Sequence, residues 1–397
     1  MNVIVNCEFR FYQTPDGNVW TPSSFKYDFW LRYAAVFEQV IVVARIKEVS
    51  EVSPDWLQAN GKQVTFHALP HYIGLKALIF ALPRLIKSLL AVLKLDGLLL
   101  FRVPSQTATI ATCLLKKNKS YAVEVIGDPY DVFSTGVGGK LAAPLLKTFS
   151  KRTLQKQCQR ALGASYVTQY YLQQRYPPGK NTLTSFYSSI MLDESQIVDT
   201  PRSYQQVARK LVFVGSLEQM YKAPDILLQA FSSLVKADST FQLTMIGAGQ
   251  HLSELKAQAQ QLNIQNNVEF VGEIKSNEVI NFLSQADLFV LPSRTEGLPR
   301  AIIEAMAQGL PCVGTSVGGI PELIPDELCV PADDAMALFT VLNKLCNNLD
   351  QLTEQSVRNV EKSRQYANQF LSAKRQQFYQ DLKTQYQANL KKQQGSN

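Results

Sequence analysis

The 397-residue sequence is 46% hydrophobic and 18% charged, apolar enough to bury two cores of about 200 residues each and unlike a disordered chain. Six scattered cysteines with no C-x-x-C pair, and only three histidines, argue against a disulfide framework or a zinc site and fit a reducing cytoplasm. Of the net charge of +7, residues 1–200 hold 22 Lys+Arg against 14 Asp+Glu while the remainder is nearly balanced, which points the first half toward an anionic partner.

The chain opens on an apolar run, residues 2–6, without a basic leader or long apolar core, so it does not read as a signal peptide. Cys7, Glu8, Phe9 and Arg10 then read as a loop after the first strand. The aromatic stretch 25–33 suits either an acceptor lip or a helix packed in the core through Phe29, Trp30 and Tyr33. Further β-branched runs at 39–44, 63–69, 97–101, 121–126 and 164–168 alternate with helical patterns, the signature of βαβ units around a mostly parallel sheet. Residues 75–101 are the most lipophilic, but Lys76, Arg84, Lys87, Lys94 and Asp96 interrupt them too often for a spanning helix. They and residues 140–160, with six Lys/Arg and no acid, suit either helices covering a sheet or amphipathic helices on an anionic membrane surface. Gly127-Asp128-Pro129 follows a strand at the sheet's carboxyl edge, where Asp128 serves as a turn former or as a sugar or acceptor contact.

A polar stretch, 193–210, precedes a second set of runs at 211–214, 241–246, 268–271, 287–291 and 311–314. The domains expected are therefore 1–204 and 205–370, with a C-terminal helix and frayed tail over 371–397. The densest chemistry lies at 291–311, LPSRTEGLPRAIIEAMAQGLP, where Glu296 sits in the loop before a helix that starts near Pro299 and carries Glu304. Free N–H groups and the positive end of the helix dipole gather at that loop, which suits a phosphate and a polyhydroxylated ligand. Gly318-Gly319-Ile320-Pro321-Glu322 forms the next loop and allows close backbone approach to a ligand.

The eight-residue spacing of Glu296 and Glu304 within this segment, followed by the G-G-x-x-E of Gly318 to Glu322, resembles the retaining glycosyltransferases of family 4, over most of residues 205–330. Weaker matches follow in order: Gly215-Ser216, Lys222, Gly247 and Gly249, and Gly272. The resemblance implies an α/β GT-B fold, two facing Rossmann-like doubly wound domains with C-terminal helices crossing back to the first. It implies that Lys222 faces a diphosphate, Glu296 the sugar hydroxyls and Glu304 the ribose. Gly215, Ser216, Gly247, Gly249, Gly272, Ile274, Gly297, Leu298 and Pro299 complete the donor site, the base lying near Glu273 to Lys275. Glu296, Lys222 and Asp128 are the catalytic candidates.

The implied activity is transfer of a sugar from a UDP- or GDP-type nucleotide sugar to a glycan or lipid-linked acceptor in cell-surface polysaccharide assembly. It runs without cofactor or metal ion, in the cytoplasm or peripherally on the inner membrane face, and without nucleic acid. A sugar-nucleotide epimerase or hydrolase on the same fold, or a non-catalytic nucleotide-sugar binder, stands as the alternative. Where many such enzymes carry a phosphate-binding arginine this chain has Ser216 and Tyr221, leaving Arg294, Arg300 or Arg10 as substitutes.

Overall fold

The structure, a computed structural model, describes residues 1–116, 118–129 and 139–394. Its first half is a nine-stranded sheet: β1 (Val3–Gln13), β2 (Val19–Thr21), β3 (Val40–Glu48), β4 (Leu57–Gln58), β5 (Val64–Leu69), β6 (Leu98–Val103), β7 (Tyr121–Val125), β8 (Gly163–Tyr166) and β9 (Leu183–Phe186). Seven run parallel in the order β5-β3-β1-β6-β7-β8-β9, and β2 and β4 add an antiparallel ribbon on the far end of β1. Every residue of β6 and β7 is buried, as expected of strands covered on both faces. The covering helices are α1 (Tyr27–Ala34), α2 (Gly74–Val92), α3 (Gln106–Leu114), α4 (Gly139–Arg160) and the short α5 (Tyr171–Arg175). Phe29, Trp30 and Tyr33 share the buried side of α1, and the Ser105 hydroxyl caps α3 by accepting from the Ala108 N–H at 3.0 Å.

The second sheet is parallel throughout: β10 (Lys210–Val214), β11 (Gln242–Ile246), β12 (Val268–Gly272), β13 (Leu288–Leu291), β14 (Cys312–Thr315) and β15 (Cys329–Val330). It is flanked by α6 (Pro224–Ala237), α7 (Leu252–Gln261), α8 (Ser276–Gln285), α9 (Arg300–Ala307), α10 (Ala335–Cys346) and α11 (Leu349–Arg364). The order β12-β11-β10-β13-β14-β15 reverses direction between β10 and β13, which opens a ligand crevice at the carboxyl ends of those strands. These are two doubly wound, Rossmann-like sheets.

The last helix, α12 (Asn368–Gln394), crosses back to the first sheet. It leaves the second half where Ala367 bridges Leu192, then packs against β9 and α1. Its Tyr379 hydroxyl donates to Glu124 Oε1 at 2.5 Å, and Glu124 also holds the buried Arg102 guanidinium at 2.7 Å. A buried charge pair of this kind needs every partner, so α12 is built into the first core.

Two expectations are corrected. The first strand does not stop at Asn6: β1 continues through residues 7–10 to Gln13, with a register shift between Asn6 and Arg10. Packing of Phe9 on Phe25, and of Phe11 on Trp30 and Phe66, holds the extension in place of a loop. The tail expected to fray from Lys391 is helical to Gln394, and residues 395–397 lie outside the described part.

Candidate functional site

At the carboxyl edge of the second sheet three loops lock together through backbone bonds. Gly215 N–H donates to Ile246 O, Leu217 N–H to Ala248 O and Gly247 N–H to Gly272 O, each at 2.9 Å. Gly215, Gly247, Gly249 and Gly272 thus form one compact floor, with the exposed Ser216 at its rim. Ile274 is half-buried between exposed Glu273 and Lys275, just before α8.

Lys222 ends a short turn, Met220–Lys222, before α6, and its ammonium donates to Glu296 Oε1 at 2.5 Å. That carboxylate also accepts from Ser293 Oγ at 2.8 Å. The two charged side chains are only 13% and 8% exposed, so a low-lying ion pair sits at the start of α9. The loop carrying Glu296 is pinned by its neighbour: Gly319 N–H donates to Gly297 O at 2.7 Å. Gly318 has φ +57°, and a Cβ there would lie 2.1 Å from Glu296 O. Only glycine fits that contact, which is the local reason for the Gly318-Gly319 pair.

Arg294, one of the candidate substitutes for the phosphate-binding arginine, is engaged by two acids of its own half. Its guanidinium is clamped by Asp225 at 2.9 and 2.7 Å and by Asp333 at 2.6 Å, while its N–H holds Tyr221 O at 2.7 Å. It anchors the turn that presents Lys222. Arg300 is exposed in the first turn of α9, and Arg10 lies on β1 beside Arg45 in the first sheet.

Facing Glu296 across the crevice are Gly127 and Asp128, which join Gln219, Tyr221, Thr295 and Gly297 around a cavity of about 170 Å³. The Asp128 side chain is 0% exposed, with Arg175 Nε at 2.8 Å, the Tyr171 hydroxyl at 3.2 Å and the Tyr176 hydroxyl also bonded to it. Its place in the wall agrees with the sequence reading, and its carboxylate is tied to α5 and the residue that follows it.

Glu304 borders a second cavity of about 440 Å³ between the two halves, whose walls include Phe25, Phe29, Arg102, Met191 and Arg300. Burial raises the Glu304 pKa, and the Arg300 charge opposes that rise. Between the cavities Gly297 meets the first half so closely that a Cβ would lie 3.0 Å from Ile126 O. Leu298 packs against a hydrophobic cluster confined to the first half and against the larger one that runs through both halves, and buried Pro299 sits at the N-cap of α9. The aromatic stretch accordingly does two things: Trp30 and Tyr33 are core, while Phe25 and Phe29 also wall the crevice.

The sequence reading concerned the backbone of the loop ending at Glu322; the carboxylate itself makes a contact of a different kind. Glu322 reaches across the crevice and accepts the N–H groups of Gln169 at 2.6 Å, Tyr170 at 3.0 Å and Tyr171 at 2.8 Å. Those residues begin α5, whose Tyr171 and Arg175 hold Asp128. A chain of polar contacts therefore runs from the second half through Glu322 and α5 to the wall opposite Glu296. No partner for Glu322 was legible in the sequence, because the contact joins residues more than 150 positions apart.

Residues 208–348 match the family described as glycosyl transferases group 1. Protein CapJ of Staphylococcus aureus is 28% identical over 327 residues, 81% of this chain and 80% of its own length. The amylovoran biosynthesis glycosyltransferase AmsK of Erwinia amylovora is 35% identical over 133 residues, 31% of this chain and 33% of its own. The solved sucrose-phosphate synthase of Thermosynechococcus elongatus superposes with a TM-score of 0.71 at 17% identity, covering 97% of this chain and 99% of that one.

Proposed function

We propose that the chain, a glycosyltransferase with a group 1 glycosyl transferase domain on a GT-B frame, transfers a hexose with retention from a UDP- or GDP-type donor to a glycan or lipid-linked acceptor. The setting we infer is the assembly of a cell-surface polysaccharide, supported by the biosynthetic role in the printed name of AmsK.

The observation that carries the reading is the Lys222–Glu296 pair at the start of α9. A donor diphosphate competes for the ammonium and frees Glu296 to accept sugar hydroxyls. As the bond from the anomeric carbon to the phosphate oxygen breaks, negative charge grows on the leaving diphosphate. Lys222 and the first N–H groups of α9 stabilise that charge more than the ground state. The acceptor hydroxyl oxygen bonds to the anomeric carbon on the face the phosphate leaves, and its proton passes to the departing phosphate oxygen. No protein nucleophile is required, unlike retaining glycosidases. In this reading Lys222 and the helix amides supply the positive charge, so turnover needs no metal ion.

We also place the enzyme peripherally on an anionic membrane. The outer stripe of α2 presents Ile79 and the 85% exposed Phe80 among Lys76, Arg84 and Lys87, and α4 exposes Leu145 and Phe149. No helix among the described residues is long and apolar enough to cross a bilayer. A thermal-shift screen of nucleotide sugars tests the donor, since a cognate donor stabilises by RT ln(1 + [L]/Kd). The anomeric configuration of the product, read by NMR, tests retention, and an inverted product would reject it.

A further inference from the structure

We propose that the acceptor hydroxyl belongs to a compound joined to a lipid through a phosphate, and that Arg10, Arg45, Lys47 and His71 hold that phosphate at the carboxyl ends of β1 and β3. The word acceptor rests on the glycosyltransferase reading above; the anion site rests on the first sheet alone.

Parallel pairing sets Arg10 beside Arg45 and Tyr12 beside Lys47, and alternate residues of a strand share a face. The extension of β1 past residue 6 thus brings Arg10, Arg45 and Lys47 to one face at the edge where open α/β sheets bind ligands. His71 lies two residues beyond the end of β5, which pairs with β3 up to Arg45. Burial lowers the His71 pKa, and the charges of Arg10, Lys47 and Arg45 lower it further.

Arg45 is rigidly built. It donates to Tyr72 O at 3.0 Å and Glu8 O at 2.6 Å, lies 4.5 Å from the Tyr72 ring centre, and leaves a buried Nε without a partner. Glu8 is the acid of the cluster. One of its oxygens faces Arg45 at 3.2 Å, and the other accepts from Ser105 Oγ at 2.6 Å and Thr107 N–H at 3.1 Å. Its charge is therefore used locally. Arg10 and Lys47 are exposed, and among the described residues neither has a carboxylate within ion-pair distance. Exposed Arg10 and Lys47 beside the Glu8-paired Arg45 leave a surplus of positive charge that attracts an anion, and guanidinium forks match phosphate oxygens.

The lipid follows from what lies next to the cluster. Ile73 is exposed directly after Tyr72, and the α2 stripe with Ile79 and Phe80 continues from there. An anion trap opening onto exposed apolar side chains fits a phosphate that carries a hydrocarbon chain better than a free phosphate.

The test compares the wild type with an Arg10→Gln/Lys47→Gln double variant, using farnesyl diphosphate, inorganic pyrophosphate and phosphatidylglycerol vesicles as separate probes. Farnesyl diphosphate should bind the wild type more tightly than pyrophosphate does. Loss of two cations should weaken that binding about tenfold to thirtyfold. The variant's melting temperature and its thermal shift with the cognate nucleotide sugar should not change. Equal affinity of the two proteins for farnesyl diphosphate overturns the proposal. So does pyrophosphate binding as tightly as the lipid, or binding confined to the vesicles. If no nucleotide sugar shifts the wild type while farnesyl diphosphate still discriminates the variant, the donor reading fails and the anion site stands.

Discussion

Replacing Glu322 by alanine should leave both sheets folded and still disable transfer. The carboxylate accepts three N–H groups at 2.6, 3.0 and 2.8 Å from the opposite half. A hydrogen bond to a charged group contributes about 1.5–3 kcal/mol, but water serves the same N–H groups once the halves part, so the net loss is about 2–3 kcal/mol for the set. At 1.4 kcal/mol per factor of ten, the closed arrangement then becomes about 30- to 150-fold less populated relative to the open one. Transfer needs the wall at Gly127 and Asp128 next to Glu296, so kcat should fall by up to that factor. Donor affinity should change little, because Lys222, Glu296 and Glu304 all belong to the second half. Glu322→Gln, which keeps one acceptor oxygen, should fall between. Steady-state kinetics gives kcat and KM, and small-angle scattering with saturating donor gives compactness. An alanine variant with wild-type kcat and an equally compact donor complex would refute the strut.

Gly318→Ala should lose transfer at least about tenfold and lower the melting temperature, since left-handed backbone costs about 1–2 kcal/mol for an ordinary residue and the new Cβ strikes Glu296 O; unchanged activity would mean that this contact does not set the loop. Glu304→Gln should make the ligand-free protein more stable while weakening the donor. Burial raises the Glu304 pKa, and a carboxyl whose folded pKa exceeds its unfolded one contributes stability below the unfolded value that is lost as pH rises through the folded value. Chemical denaturation should therefore show the gain above about pH 5 and none below about pH 4. Turnover should survive EDTA; loss on chelation with rescue by manganese would contradict a metal-free transition state.

Much of the second half was legible because its chemistry is local. The run from β13 through Glu296 to Glu304 is one loop and one helix, so eight residues of spacing already put both carboxylates at the crevice. Buried parallel strands such as β10 and β13 announce themselves as continuous apolar runs. The first half was harder where tertiary contacts decide. Residues 7–10 alternate apolar with polar, a short strand pattern that the expectation of a loop overrode, and Phe25, Trp30 and Phe66 secure the strand by packing against Phe9 and Phe11. Asp128 read as an open candidate because Arg175, Tyr171 and Tyr176 engage it from a helix more than 40 positions away. Arg294 stood with Arg300 and Arg10 as a possible substitute because its partners Asp225 and Asp333 lie far from it in sequence.

The most direct measurement is the rate at which wild type, Lys222→Ala and Glu296→Ala release nucleoside diphosphate from the nucleotide sugar that stabilises the wild type, with acceptor present. Expected is acceptor-dependent release by the wild type and a fall of about 100- to 1,000-fold in each folded variant, the typical loss when one transition-state charge partner is removed. Near-normal release by Lys222→Ala, or release by the wild type that ignores the acceptor, would contradict a glycosyl transfer carried by this ion pair.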